Sequence, residues 1–227
     1  SVYNSVYTAP PVIPSVNTKI KLSEKQDIRL SYGRGFRAPS LRELYFDFFD
    51  ASHSIEGNPN LESELSHSMN ASFNWKLIDD DRIKLSTVVG GFYNYVENMI
   101  GYGQKPGNNL LTTYLNIDQY KTKGFTWSNS LKGNVWEVNA GYALTARFNP
   151  YSENFTDTEE FQWSPEITTS GSYRIPGVGL KFSLYHKFTG ITPFFELTTE
   201  NGNQVARLAQ QSAFHWADFT ILKDFGK

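Results

Sequence analysis

Leu65-Ser66-His67-Ser68-Met69-Asn70-Ala71-Ser72-Phe73-Asn74-Trp75-Lys76-Leu77 is the stretch that decides the fold. Side chains of an extended chain alternate between two faces. Here Leu65, His67, Met69, Ala71, Phe73, Trp75 and Leu77 fall on one face, and Ser66, Ser68, Asn70, Ser72, Asn74 and Lys76 on the other. A period of two over thirteen positions is a strand with one oily and one polar face. After Asp79-Asp80-Asp81 the alternation resumes, with Ile83, Leu85, Thr87, Val89, Gly91, Tyr93 and Tyr95 set against Lys84, Ser86, Gly90 and Asn94, and Val88 and Phe92 interrupting the polar side. The two runs read as a hairpin.

Working outward, Trp136, Val138, Ala140, Tyr142, Leu144 and Ala146 oppose Glu137, Asn139, Gly141, Ala143, Thr145 and Arg147, and Leu180, Phe182, Leu184 and Phe188 oppose Lys181, Ser183, Tyr185 and Lys187. Weaker copies occupy 12–22, 26–36, 111–132, 161–175 and 207–224. The total is about nine strands, with no convincing amphipathic helix. Connections are short at Ser23-Glu24, 78–81, Gly133-Asn134 and Pro176-Gly177, and long at about 37–62, 99–110, 148–160 and 198–206. Short and long connections therefore gather at opposite ends.

Composition narrows the class. In 227 residues, aromatics reach 15% while charged residues stand at 19%, below the roughly 25% of an ordinary soluble domain. Strands this oily and this poor in charge face something other than water. No apolar run approaches the ~18 residues of a spanning helix, so a membrane protein of this sequence must be a β-barrel. Brief turns at one rim, long loops at the other, an apolar exterior and a polar lumen are what such a barrel requires. Trp75 and Trp136 sit beside short turns, where an interfacial girdle places its rings. A soluble β-sandwich binding module is the competing reading of the same alternation.

The net charge of −2, without a Lys/Arg cluster, offers no field for nucleic acid. With no cysteine there is neither a disulfide framework nor a thiol nucleophile. No nucleophile with its base and no metal cluster occurs at workable spacing, so no catalytic residue is expected and the chain does not read as an enzyme.

Tyr32-Gly33-Arg34-Gly35-Phe36-Arg37-Ala38-Pro39-Ser40-Leu41-Arg42-Glu43-Leu44-Tyr45 resembles the barrel signature of TonB-dependent outer-membrane receptors. Gly57-Asn58-Pro59-Asn60-Leu61, with Glu64, resembles its companion motif, and Tyr114-Leu115-Asn116-Ile117-Asp118 with Lys121-Thr122-Lys123-Gly124-Phe125 resembles the long descending strand. The resemblance implies an all-β fold, an antiparallel transmembrane β-barrel fragment of residues 1–227. These would be about nine of some 22 strands, near the twelfth to the twentieth, without plug, TonB-contacting segment or signal peptide. It implies integral residence in a bacterial outer membrane, contact with its lipid, coupling to the TonB complex through the missing N-terminal part, and import of a scarce bulky nutrient, free or on a carrier protein. Haem, another iron complex or cobalamin would be the cargo. A passive porin would share this wall.

Within the motifs, Gly35, Phe36, Arg37, Ala38, Pro39, Asn58, Pro59, Asn60 and Leu61 read mainly as architecture: Pro39 removes a ladder donor where the strand gives way to a loop. Between the motifs, His53 stands where haem receptors of this group carry an iron-contacting histidine. Tyr45, Phe46, Phe48 and Phe49 are rings able to pack on a porphyrin. No intrinsic cofactor is expected, haem being cargo. His67, His186 and His215 fall within strands, on outward or interfacial positions. The acidic residues Asp47, Asp50 and Glu56 read as solvated loop charge.

Overall fold

The computed structural model describes residues 12–49, 54–105, 108–149, 159–200 and 203–225. In chain order the elements are β1 (Ser15–Lys21), β2 (Gln26–Arg37), α1 (Leu41–Tyr45), β3 (Phe48–Phe49), β4 (Ser54–Glu56), β5 (Glu64–Asp79), β6 (Ile83–Lys105), β7 (Asn108–Gly133), β8 (Trp136–Phe148), β9 (Phe161–Ile175), β10 (Leu180–Thr189), β11 (Thr192–Glu200), β12 (Asn203–Gln211) and β13 (Phe214–Lys223). The main sheet follows the order β1-β2-β5-β6-β7-β8-β9-β10-β13, each strand beside its successor along the chain except where a loop element intervenes. This is the meander of an up-and-down wall, open between β1 and β13.

The chain divides into two compact units, one of Ser1–Val16, Tyr32–Met69 and Asn94–Lys121, the other of Asn17–Ser31, Asn70–Tyr93 and Thr122–Lys227. In the second unit the registers match like with like. Phe125 faces Leu144, Trp127 faces Tyr142, Trp136 faces Tyr173 and Tyr142 faces Ile167. One position along, Lys132 faces Glu137, Asn139 faces Ser170 and Ser183 faces Ser172. One face of this wall is therefore oily and the other polar. The oily rings stay open: Trp127, Val138, Tyr173 and Leu184 are each about half exposed. Among the described residues only Leu61, Tyr114, Ala146 and Phe148 are buried apolar side chains. A sandwich hides its oily rows between two sheets, and that is not what these rows do. The tight turn from β9 to β10 depends on Gly177 and Gly179, whose φ angles of 75° and 68° suit glycine.

In the first unit the connection from β2 to β5 is itself built, from α1, β3 and β4. Phe48 pairs with Ile55 and Phe49 with Ser54. The segment then runs parallel to β7, Ile55 beside Thr112 and Glu56 beside Thr113, before entering β5. On the oily row, the Tyr32 hydroxyl lies 2.8 Å from His67 Nδ1 and the His67 ring stacks on Tyr95.

Three boundaries differ from the sequence reading. Residues 99–105 continue β6 and β7 begins at Asn108, so the loop expected at 99–110 is largely strand. Of the expected loop at 198–206, residues 198–200 and 203–206 lie in a separate two-stranded ladder, in which β11 pairs with β12, for example Glu200 with Asn203. That ladder claims residues up to Gln211, so the last wall strand starts at Phe214 rather than 207. In both cases strand pairing continues where hydrophobic alternation fades, because backbone hydrogen bonds do not depend on side-chain polarity. The connection at 148–160 runs between the end of β8 and the start of β9, and residues 150–158 lie outside the described set.

Candidate functional site

Arg37 closes β2 and organises the loop beyond it. Its Nε and Nη2 donate to the two oxygens of Glu64 at 2.8 and 2.7 Å, and its Nη1 donates to Glu43 Oε1 and Oε2 at 3.0 and 3.1 Å. Such a planar fork binds two carboxylates at once, which a lysine does not do. Glu64 Oε1 also accepts the Ile100 N–H of β6 at 2.7 Å, which ties the clamp to the neighbouring strand. Pro39 ends the ladder, and Ser40 opens α1 with a capping box: its Oγ accepts the Glu43 N–H, and Glu43 Oε2 accepts the Ser40 N–H at 2.7 Å.

The second motif is threaded through the same clamp. The Asn58 N–H donates to the Glu43 carbonyl at 2.8 Å, Asn58 Nδ2 donates to the Tyr114 carbonyl at 2.8 Å, and the Asn60 N–H returns to Asn58 Oδ1 at 3.0 Å. Asp47 Oδ1 accepts the Gly57 N–H at 3.1 Å, while Leu61 is buried. Asn116 of β7 exchanges hydrogen bonds with the Glu62 backbone and reaches the Asn98 carbonyl. Of the acidic residues here, Asp47 is engaged as above and Glu56 with Lys105, while Asp50 lies outside the described residues. Arg37, Asn58 and Asn60 are thus held by hydrogen bonds within the loop.

Above this joinery stands an aromatic surface. Tyr45, Phe46 and Phe48 are nearly half exposed and Phe49 is 63% exposed. Phe46 and Phe48 stack at 6.5 Å with planes 5° apart, and the Arg42 guanidinium lies 5.3 Å over Phe46. Contiguous exposed apolar rings are a common feature of interaction surfaces. Beside it Ser40, Arg42, Glu43, Ile100, Tyr102 and Tyr114 line an open cavity of about 250 Å³, in which the Tyr102 and Tyr114 hydroxyls meet at 2.8 Å. His53, read as the iron ligand, lies outside the described residues. In sequence it lies between Phe49 and Ser54.

Sequence reasoning passed over α1 and Tyr102, and read Tyr114 only as part of the long-strand motif. The helix announced itself only by Ser40-x-x-Glu43, a capping-box spacing, because five residues are too few for a helical period to show. Tyr102 and Tyr114 carry no local signal for their contact.

The Glu43 carboxyl is held below its ordinary value of 4.5. Burial pushes it upward, but the Ser40 N–H and the Arg37 guanidinium outweigh that. Because the folded loop favours the charged form, this contribution is whole above pH 4.5 and is lost as pH falls through the lowered value. Protection factors of the α1 amides are expected to stay flat from neutral pH to 4.5 and to drop below it, and Glu43→Gln is expected to shrink the step, Glu64 on the same Arg37 keeping its share.

An antiparallel meander whose rows sort into one oily and one polar face is the wall of a β-barrel. The family described as TonB dependent receptor-like, beta-barrel matches residues 3–225, and the chain belongs to it. It is 25% identical over 128 residues to the probable hemoglobin and hemoglobin-haptoglobin-binding protein 3 of Haemophilus influenzae, a match covering 53% of this chain and 12% of that protein. Its fold is similar to that of a ferric enterobactin receptor mutant from Pseudomonas aeruginosa, with a TM-score of 0.70 at 14% identity, covering 95% of this chain and 33% of that one. It is also similar to the siderophore receptor PirA from Acinetobacter baumannii, with a TM-score of 0.63 at 12% identity, covering 94% of this chain and 35% of that one. The match spans about an eighth of the length of the curated relative and about a third of each solved chain.

Proposed function

We propose that this chain is wall and recognition rim of an outer-membrane receptor that imports haem, free or carried by a haem protein, with energy supplied through TonB. The carrying observation is the β3–β4 ladder, which presents Phe48 and Phe49 beside Tyr45 and Phe46 on the Arg37–Glu43–Glu64 clamp. Flat exposed rings suit a porphyrin face, and His53, which the sequence puts between β3 and β4, is proposed as the imidazole that haem iron accepts. The curated relative named above as binding hemoglobin supports the same cargo class.

The test uses the full-length receptor in detergent, titrated with hemin. A shifted Soret band is expected, with His53→Ala weakening binding by about tenfold or more. An unshifted band, together with unchanged growth on hemin for His53→Ala cells, would remove haem and leave a different iron complex or cobalamin as cargo.

A further inference from the structure

On the oily face of the second unit, charge appears only at the margins. From Leu131 up through Asn129, Trp127 and Phe125 the row on β7 is uncharged, and the next residue outward is Lys123. Lys123 pairs with Ala146, and Ala146 with Trp163, on the uncharged rows of β8 and β9. At the opposite margin stands Lys223, paired with Leu180, its Nζ on the Val178 carbonyl of the turn. Trp136 and Tyr173 mark that lower edge as a facing pair, and Trp163 and Phe161 mark the upper.

Ten residues separate Trp163 from Tyr173 along β9. At the usual strand rise and barrel tilt they cover about 25 Å of membrane normal, the height of a barrel's apolar band. Lys123 therefore stands at headgroup level on the loop-bearing side. Its Nζ lies 3.7 Å from the Phe161 ring centroid and 5.9 Å from that of Trp163. No described carboxylate pairs with it, whereas Lys187, on the polar face, pairs with Glu166 at 2.7 Å. An ammonium at this height, held against two rings and without a described acidic partner, suits an anionic headgroup at the membrane surface.

We infer that Lys123, framed by Phe161 and Trp163, is a contact for the phosphate of an anionic lipid in the outer leaflet. This rests on the outer-membrane reading of the oily face. The full-length receptor is reconstituted into phosphatidylethanolamine vesicles containing either diphosphoryl or dephosphorylated lipid A, extracted mildly, and its retained lipid counted by native mass spectrometry. Wild type and Lys123→Arg are expected to retain the phosphorylated form about fivefold over the other, and Lys123→Glu to lose that preference. Added inorganic phosphate is expected to leave the preference intact, since one ion lacks the acyl chains that hold the lipid against Trp163. A preference equal in wild type and Lys123→Glu, or one abolished by inorganic phosphate, would overturn the inference. A receptor that fails to enter any vesicle would instead overturn the reading beneath it.

Discussion

Ile167→Arg is expected to destabilise the full-length barrel by about 2–4 kcal/mol, while Ser183→Arg shifts it by less than about 0.5 kcal/mol. Ile167 lies between Tyr142 and Phe188 on the oily row, close to midway from Trp163 to Tyr173. A guanidinium there enters hydrocarbon at its deepest point, where snorkelling reaches least. Ser183 lies on the opposite face, beside Ser172 and Thr220 on an open cavity of about 500 Å³. An arginine there stays wet. Denaturant titration of the receptor in lipid vesicles reads both values. Equal costs for the two variants would mean that the faces do not meet different solvents.

Gly57→Ala is expected to unseat the loop, at a local cost of about 1–3 kcal/mol. A methyl group at Gly57 would sit 2.7 Å from the Tyr45 nitrogen and 2.8 Å from the Leu44 carbonyl carbon and oxygen. These are backbone atoms, which cannot swing aside as a side-chain tip can. The displacement would break the Asn58 bonds to Glu43 and Tyr114, so amide protection over 54–62 falls and cargo binding falls with it. Gly33→Ala is the control: nothing lies within 4 Å of its added methyl. Its effect is expected to stay within about 0.5 kcal/mol.

The wall was legible in the sequence because it obeys a local rule. Leu65 to Leu77 alternate, and β5 spans Glu64–Asp79; Trp136 to Ala146 alternate, and β8 spans Trp136–Phe148. The rule failed where side chains stop being sorted between two solvents. At Ile100-Gly101-Tyr102-Gly103 the alternation dissolves, yet β6 continues because its backbone still finds partners. The candidate site was legible as a motif but not as a mechanism. Arg37 meets Glu64 across 27 positions, and Asn58 meets Tyr114 across 56. Such pairs are made by the sheet order, which brings β2, β5, β6 and β7 side by side, and no short window of sequence encodes that. His186 and His215 behave alike: read as separate strand residues, they approach to 3.0 Å because β10 pairs with β13.

The division of the wall between oil and water is tested most directly along β8. This segment contains no cysteine, so with any cysteine elsewhere in the full-length receptor replaced, single cysteines at 136–146 can each carry a spin label in bilayers. Collision with dissolved oxygen is expected to peak at Val138, Ala140, Tyr142 and Leu144, and collision with a water-soluble nickel chelate at Asn139, Gly141, Ala143 and Thr145. Loss of the two-residue period, or chelate reaching the first set as freely as the second, would contradict the account.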